Sequence, residues 1–138
     1  MNTTKITVAA SINAGIEKVW NAYNNPADIM QWNQASPDWH CPHAENDLKP
    51  GGILKSRMEA RDGSFGFDFE VVYDEVIEGK KIAYTMGDGR QATTSFEQQG
   101  NAVLVTTCFD AESENPVDMQ QAGWQAILYS FKNHVESK

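Results

Sequence analysis

The last twenty residues, MQQAGWQAILYSFKNHVESK (119–138), set Ile127, Leu128, Phe131 and Val135 at offsets of three, four, seven and eleven from Trp124. That spacing lays a single apolar stripe along a helix. Upstream, residues 38–110 read as short strands and turns, so one long helix must bury its stripe against one sheet. A curved sheet that grips a single helix tends to leave a cavity beside it, and a cavity is the first place to seek function.

Working outward, Asn115 and Pro116 stand where that helix should begin, with Asn115 a candidate cap and Pro116 opening the first turn. At the other end of the chain, residues 4–12 alternate, with Ile6, Val8, Ala10 and Ile12 on one face of a first strand. Asn13 is a candidate cap for a short helix carrying Ile16, Val19, Trp20 and Tyr23. Asn25-Pro26 then starts a second short helix, in which Asp28 suits the dipole and Ile29, Met30 and Trp32 are the apolar content.

Between these helices and the last one, glycine punctuates the strands. Asp47-Leu48-Lys49-Pro50-Gly51-Gly52 is a turn into a strand at 53–60, and Asp62-Gly63 marks a hairpin between Met58 and Phe65. The next strand puts Phe65, Phe67, Phe69, Val71 and Tyr73 on one face and Asp68, Glu70 and Asp74 on the other. Gly79-Lys80, Gly87-Asp88-Gly89 and Gly100-Asn101 link it to strands bearing Ile82, Tyr84 and Met86, then Ala92, Thr94 and Phe96, then Val103, Val105, Thr107 and Phe109. The pattern predicts an α+β antiparallel meander with two short helices after its first strand.

Composition bounds the function. The 138 residues suit one domain spanning 1–138, and 41% hydrophobic with 22% charged residues is ordinary for a globular protein. Nineteen acidic against eleven basic residues give a net charge of −8, which opposes phosphate backbones and anionic lipid, so neither nucleic acid nor membrane is an expected partner. Cys41 and Cys108 are far apart and read as free thiols. The N-terminus has no apolar run of signal-peptide length and no stretch is of spanning length, so a reducing cytoplasm is the expected location.

Several positions, taken together and in order, resemble a known family. They are Val19-Trp20, Pro26 and Trp32, Asp47-Leu48 with Gly51-Gly52, Met58, Asp62-Gly63, Phe67 with Phe69, Glu75, Ile82 with Tyr84, Phe96, and Gly123-Trp124 with Leu128. The family is that of bacterial single-domain proteins similar to the C-terminal domain of the activator of heat-shock-protein-90 ATPase, within the START-like, or SRPBCC, superfamily. No one position is specific; the ensemble is. Gly15 stands where many members have proline, and Val71 where many have glycine, a larger side chain that would narrow a cavity. The resemblance implies a helix-grip fold, a curved antiparallel sheet of about six to seven strands wrapped around the long C-terminal helix. It also implies a cavity for apolar or partly aromatic molecules, and no defined reaction.

Motifs for chemistry are sparse. His40-Cys41-Pro42-His43 with Glu45 is the one cluster of metal-ligand types, but its spacing is not that of a metal site, an edge or loop segment with exposed imidazoles is expected, and no metal or cofactor is expected. Gly87-Asp88-Gly89 precedes a strand rather than a helix, so it is a hairpin turn and not a phosphate loop. There is no GxSxG and no triad order, so no catalytic residue is assigned. Tyr73, Tyr84, His40, His43 and Glu75 remain candidate acids or bases.

The candidate ligand-binding residues are Trp32 and Trp39 near the second helix, Met58, Phe69 and Val71 on the middle strands, and Tyr84, Met86 and Thr94 beyond them. Gln120, Gly123 and Ile127 complete the set from the last helix. Arg90 is a weaker candidate for meeting a carboxylate or phenolate, and Arg57 weaker still because strand parity opposes it to Met58.

The leading expectation is a cytoplasmic protein, monomer or homodimer, that binds a small apolar or aromatic ligand. The alternatives are a cyclase- or hydrolase-type enzyme in the same cavity, or a protein-interaction module. Co-chaperone action ranks low, because activation by the eukaryotic namesake also depends on an N-terminal domain that these residues do not include.

Overall fold

The computed structural model describes residues 4–137. The order is β1 (Lys5–Ile12), α1 (Ile16–Asn24), α2 (Pro26–Trp32), β2 (Trp39–Asn46), β3 (Ile53–Ala60), β4 (Gly66–Ile77), β5 (Lys81–Met86), β6 (Gln91–Gln99), β7 (Ala102–Asp110) and α3 (Val117–Glu136). All strands join one seven-stranded antiparallel sheet in the order β1-β7-β6-β5-β4-β3-β2. It curls into a half-barrel around α3, the helix-grip arrangement. No described helix is long and apolar enough to cross a membrane.

The predicted stripe of α3 is buried most deeply toward its C-terminal end, where Leu128, Phe131 and Val135 belong to the core. Phe131 is fully enclosed, and its ring meets the edges of Tyr23 and Trp32 at centroid distances of 5.2 and 5.1 Å. This aromatic contact ties all three helices together. The polar flank of α3 has a second task. β1 is an edge strand with unpaired backbone groups, and α3 side chains meet them: Gln125 bonds both N–H and C=O of Ala9, Gln121 donates to Thr7 O, and Lys132 donates to Ser11 O. Satisfying those groups removes a site for wrong pairing. At the opposite edge α2 packs on β2, and Asn46 donates to Asn24 O at 2.7 Å.

Local expectations divide. Asn25 caps α2 by accepting from Ala27 N–H, with Pro26 in the first turn. The other two caps are corrected. Gly15, not Asn13, occupies the N-cap of α1, and the Asn13 N–H donates to Glu136 instead. Pro116, not Asn115, occupies the N-cap of α3, because the Asn115 side chain turns back to Glu112. Asp28 stands in the first turn of α2 as expected and is buried there, its carboxylate meeting His134 Nε2 of α3 at 2.8 Å. Met30 points outward while Ile29 and Trp32 enter the core.

Two irregularities redirect side chains. A bulge at Pro42 faces both Cys41 and Ala44 inward and leaves His43 exposed, which strict alternation would not allow. A second bulge at Asp74 returns Val76 to the face of Tyr73 and leaves Glu75 outside, paired with Lys81 at 2.8 Å. The apolar face of β4 also ends sooner than alternation suggests. Phe65 lies before the strand at 61% exposure and Phe67 is 44% exposed, because β5 ends with Met86 opposite Val71 and offers them no neighbour.

Gly51 and Gly52 are needed for different reasons. Gly51 has φ +83°, and a Cβ on Gly52 would lie 2.0 Å from the Asp47 carbonyl oxygen. Gly52→Ala should therefore lower unfolding free energy by about 1–3 kcal/mol through overpacking against rigid backbone, read from the urea midpoint. Phe131→Ala should cost ~3–5 kcal/mol in the same assay, since it empties the junction of the three helices.

Candidate functional site

A cavity of about 480 Å³ lies between the sheet and the first half of α3. Its buried wall comes from inward positions of β3, β4, β5 and β7, its roof from α3, and one end from α1 and α2. Phe67, Ala35, Asn115 and Met119 are exposed lining residues and mark the mouth. Part of this space is open because Gly123 puts no side chain into it. A Cβ built on Gly123 meets nothing within 4 Å. One turn of helix further on, Leu128 closes the gap.

The structure brings together most of the predicted ligand-binding positions as lining residues. Trp32 lines the cavity from α2, Met58, Phe69 and Tyr84 from the sheet, and Gln120, Gly123 and Ile127 from α3. Two of these have polar groups already committed. Trp32 donates its indole N–H to Ala22 O at 2.9 Å. The Gln120 amide clamps the segment before α3, accepting from Glu112 N–H at 2.8 Å and donating to Asn115 O at 2.8 Å.

Four predicted positions do not line it. Trp39 sits outside on β2, edge-on to Phe65 and Phe67 at 6.0 and 6.1 Å. Val71 and Met86 face each other across β4 and β5 and are buried in the core. They point inward as parity requires, but the taller rings beside them, Phe69, Tyr73 and Tyr84, form the cavity wall. Val71 therefore does not narrow the space directly. Thr94 is wholly buried behind the wall, its hydroxyl bonded to that of Thr107 at 2.8 Å and to that of Tyr23 at 3.4 Å.

Lining residues outside the predicted ligand-binding set include Tyr23, Leu54, Ser56, Thr107 and Trp124, together with Tyr73, which the sequence offered as an acid or base. Leu54 and Ser56 share the strand parity of Met58, so alternation held the signal for them. Trp124 acts both as anchor and as lining, stacked on Phe109 at 3.8 Å and 12°. Asn33, Ala35 and Glu112 come from loops, where no periodicity identifies a facing side.

The electrostatics are simple. Arg90 and Glu112 are the charged residues of the lining. Arg90 is already engaged by Asp88 at 2.7 Å and by the Asp110 carbonyl at 3.3 Å, so its charge is largely met by protein. Asp110 in turn accepts from Lys5, which holds its carboxyl below the usual range, and from Gln91 N–H at 2.9 Å. Burial raises the phenols of Tyr23, Tyr73 and Tyr84, which keeps all three neutral across the physiological range.

Of the candidate acids and bases, only Tyr73 and Tyr84 reach the cavity. His40 and His43 lie apart from it, near Glu59 at 3.8 Å and Glu45 at 3.6 Å. Among the described residues no group of three or more His, Cys, Asp or Glu side chains could hold a metal ion.

This architecture has close counterparts. A solution structure of an AHSA1-like protein from Aeromonas hydrophila is 41% identical, covering 97% of this chain and 93% of that one, with a TM-score of 0.91. A solution structure of a protein from Cytophaga hutchinsonii is 51% identical over 96% of this chain and 92% of that one, with a TM-score of 0.84. No match was found among curated proteins. The family described as Activator of Hsp90 ATPase homolog 1-like protein matches residues 13–136, and with that span, the helix-grip sheet and these counterparts, the chain belongs to this family.

Proposed function

We propose that the protein binds a small apolar or aromatic molecule in the cavity between the sheet and α3. The observation that carries this reading is the unfilled space of about 480 Å³ beside Gly123, walled by Phe69, Tyr84, Trp124 and Ile127. Its size falls within the roughly 300–1,000 Å³ common for ligand pockets, and aromatic walls with few polar groups suit shape-based binding. The free thiols of Cys41 and Cys108 accord with a reducing cytoplasm as the place of action.

An acid–base enzyme in the same cavity has less support. Glu75, His40 and His43 lie elsewhere, and the remaining candidates are tyrosines kept neutral by burial. General base catalysis near neutral pH would need a group that titrates there.

Gly123 separates stability from binding. Gly123→Ala replaces a poor helix former in a helix interior with no clash, so thermal or urea unfolding should show a gain of about 0.5–1 kcal/mol. Gly123→Leu places a larger side chain in the cavity. Its amide spectrum should remain that of a folded protein, while chemical-shift changes induced by naphthalene at Phe69, Tyr84 and Ile127 in the parent should disappear. Retention of those changes in Gly123→Leu, or their absence in the parent, would count against binding at this site.

A further inference from the structure

The hairpin joining β3 to β4 presents two large rings to solvent. Phe65 is 61% and Phe67 44% exposed, and with partly buried Trp39 of β2 they form a triangle whose centroids lie 6.0, 6.1 and 6.1 Å apart. On the helix side of the cavity mouth that Phe67 borders, Met119 is 61% exposed, with Val117 exposed two residues before it. The hairpin tip is pinned rather than loose. Arg61 donates its backbone N–H to Asp38 O and its Nε to Pro37 O, both at 2.8 Å, and Ala60 N–H donates to Phe65 O at 2.9 Å. Large apolar side chains held outward together on a folded protein mark a binding face.

The charges beside this face narrow what covers it. Asp38 precedes Trp39, and Glu114 and Asp118 adjoin the mouth residues Asn115 and Met119. None of the three has a cation within ion-pair distance among the described residues, whereas Glu59, Asp68, Glu75, Asp88 and Glu136 each have one. No Lys or Arg occurs from Gln91 to Phe131. A second copy of a chain with net charge −8 would set these carboxylates against their own kind, and a lipid surface would strip their water without supplying a counterion.

We propose that this face docks another protein through a cationic amphipathic segment. The apolar side of that segment lies on Phe65, Phe67 and Met119, and its Lys or Arg residues meet Asp38, Glu114 and Asp118. Exposed ring faces on the hairpin add a second attraction for the same cations. The docking face is independent of any cavity ligand, since Phe65 lies outside the cavity lining.

The probes are three peptides of about 18 residues, enough for a continuous helical stripe: an amphipathic Leu/Lys helix, its Leu/Glu counterpart, and a scrambled Leu/Lys peptide without an apolar face. Titrated by amide chemical shifts, the Leu/Lys helix should move Phe65, Phe67 and Met119 and bind about tenfold or more tighter than either control. Phe65→Ala should weaken it about tenfold while leaving the naphthalene-induced cavity shifts as in the parent, so a failure here is distinct from a failure of the cavity reading. Glu114→Gln with Asp118→Asn should weaken it about three- to fivefold and flatten its salt dependence, whereas Glu97→Gln on β6 should change nothing. All these positions are exposed, so the variants should keep the parent's folded spectrum. Equal binding of a control peptide, or an affinity that Phe65→Ala leaves unchanged, would overturn the proposal. So would a parent dimer in sedimentation that Phe65→Ala dissociates, which assigns the face to a second copy, or binding to phosphatidylcholine vesicles that Phe65→Ala abolishes, which assigns it to lipid.

Discussion

A concave sheet can be covered by one helix only where that helix supplies enough volume, and α3 supplies it unevenly. Its C-terminal half carries Leu128, Phe131 and Val135 into the core, and Phe131 is locked between Tyr23 of α1 and Trp32 of α2. Its N-terminal half carries Gln120, Gly123 and Trp124 over the cavity. One end of the helix therefore holds the fold, while the other spans a space.

The supports around that space are polar and local. Gln121, Gln125 and Lys132 bond the free edge of β1, so the helix is fixed along its length by directional contacts as well as by packing. The amide of Gln120 holds the segment carrying Glu112 and Asn115 at the mouth. A helix held from the side in this way can leave its underside partly empty without losing its position. Cavities in proteins persist when the surrounding structure relaxes only in part.

Much of this was readable from residue order. The glycine turns at Gly63, Gly79, Gly89 and Gly100 all adopt positive φ, as hairpin signals require, and the alternation on β1 and β7 survives intact in the structure. Reading failed where one element's geometry depended on another's. The bulge at Asp74 moves Glu75 to the outside, and nothing in the run Val71 to Ile77 announces it. Phe65 and Phe67 look like core by alternation, yet the length of β5, a neighbour remote in sequence, leaves them exposed. The missed cap at Asn115 has a similar cause, since its side-chain amide donates to Glu112 instead.

Sequence periodicity alone determined that one amphipathic helix must meet one meandering sheet, because burying an apolar stripe is a local demand written into residue spacing. It also offered Gly123 as one of three candidate cavity positions on that helix. Only the tertiary structure decided which inward residues line the cavity and which lie beneath it. Val71, Met86 and Thr94 share the orientation of Phe69 and Tyr84, but depth is set by the heights of neighbouring side chains on adjacent strands. The same holds for the buried Ser56 hydroxyl, since a missing partner is a property of the assembled surroundings and has no signature in the chain itself.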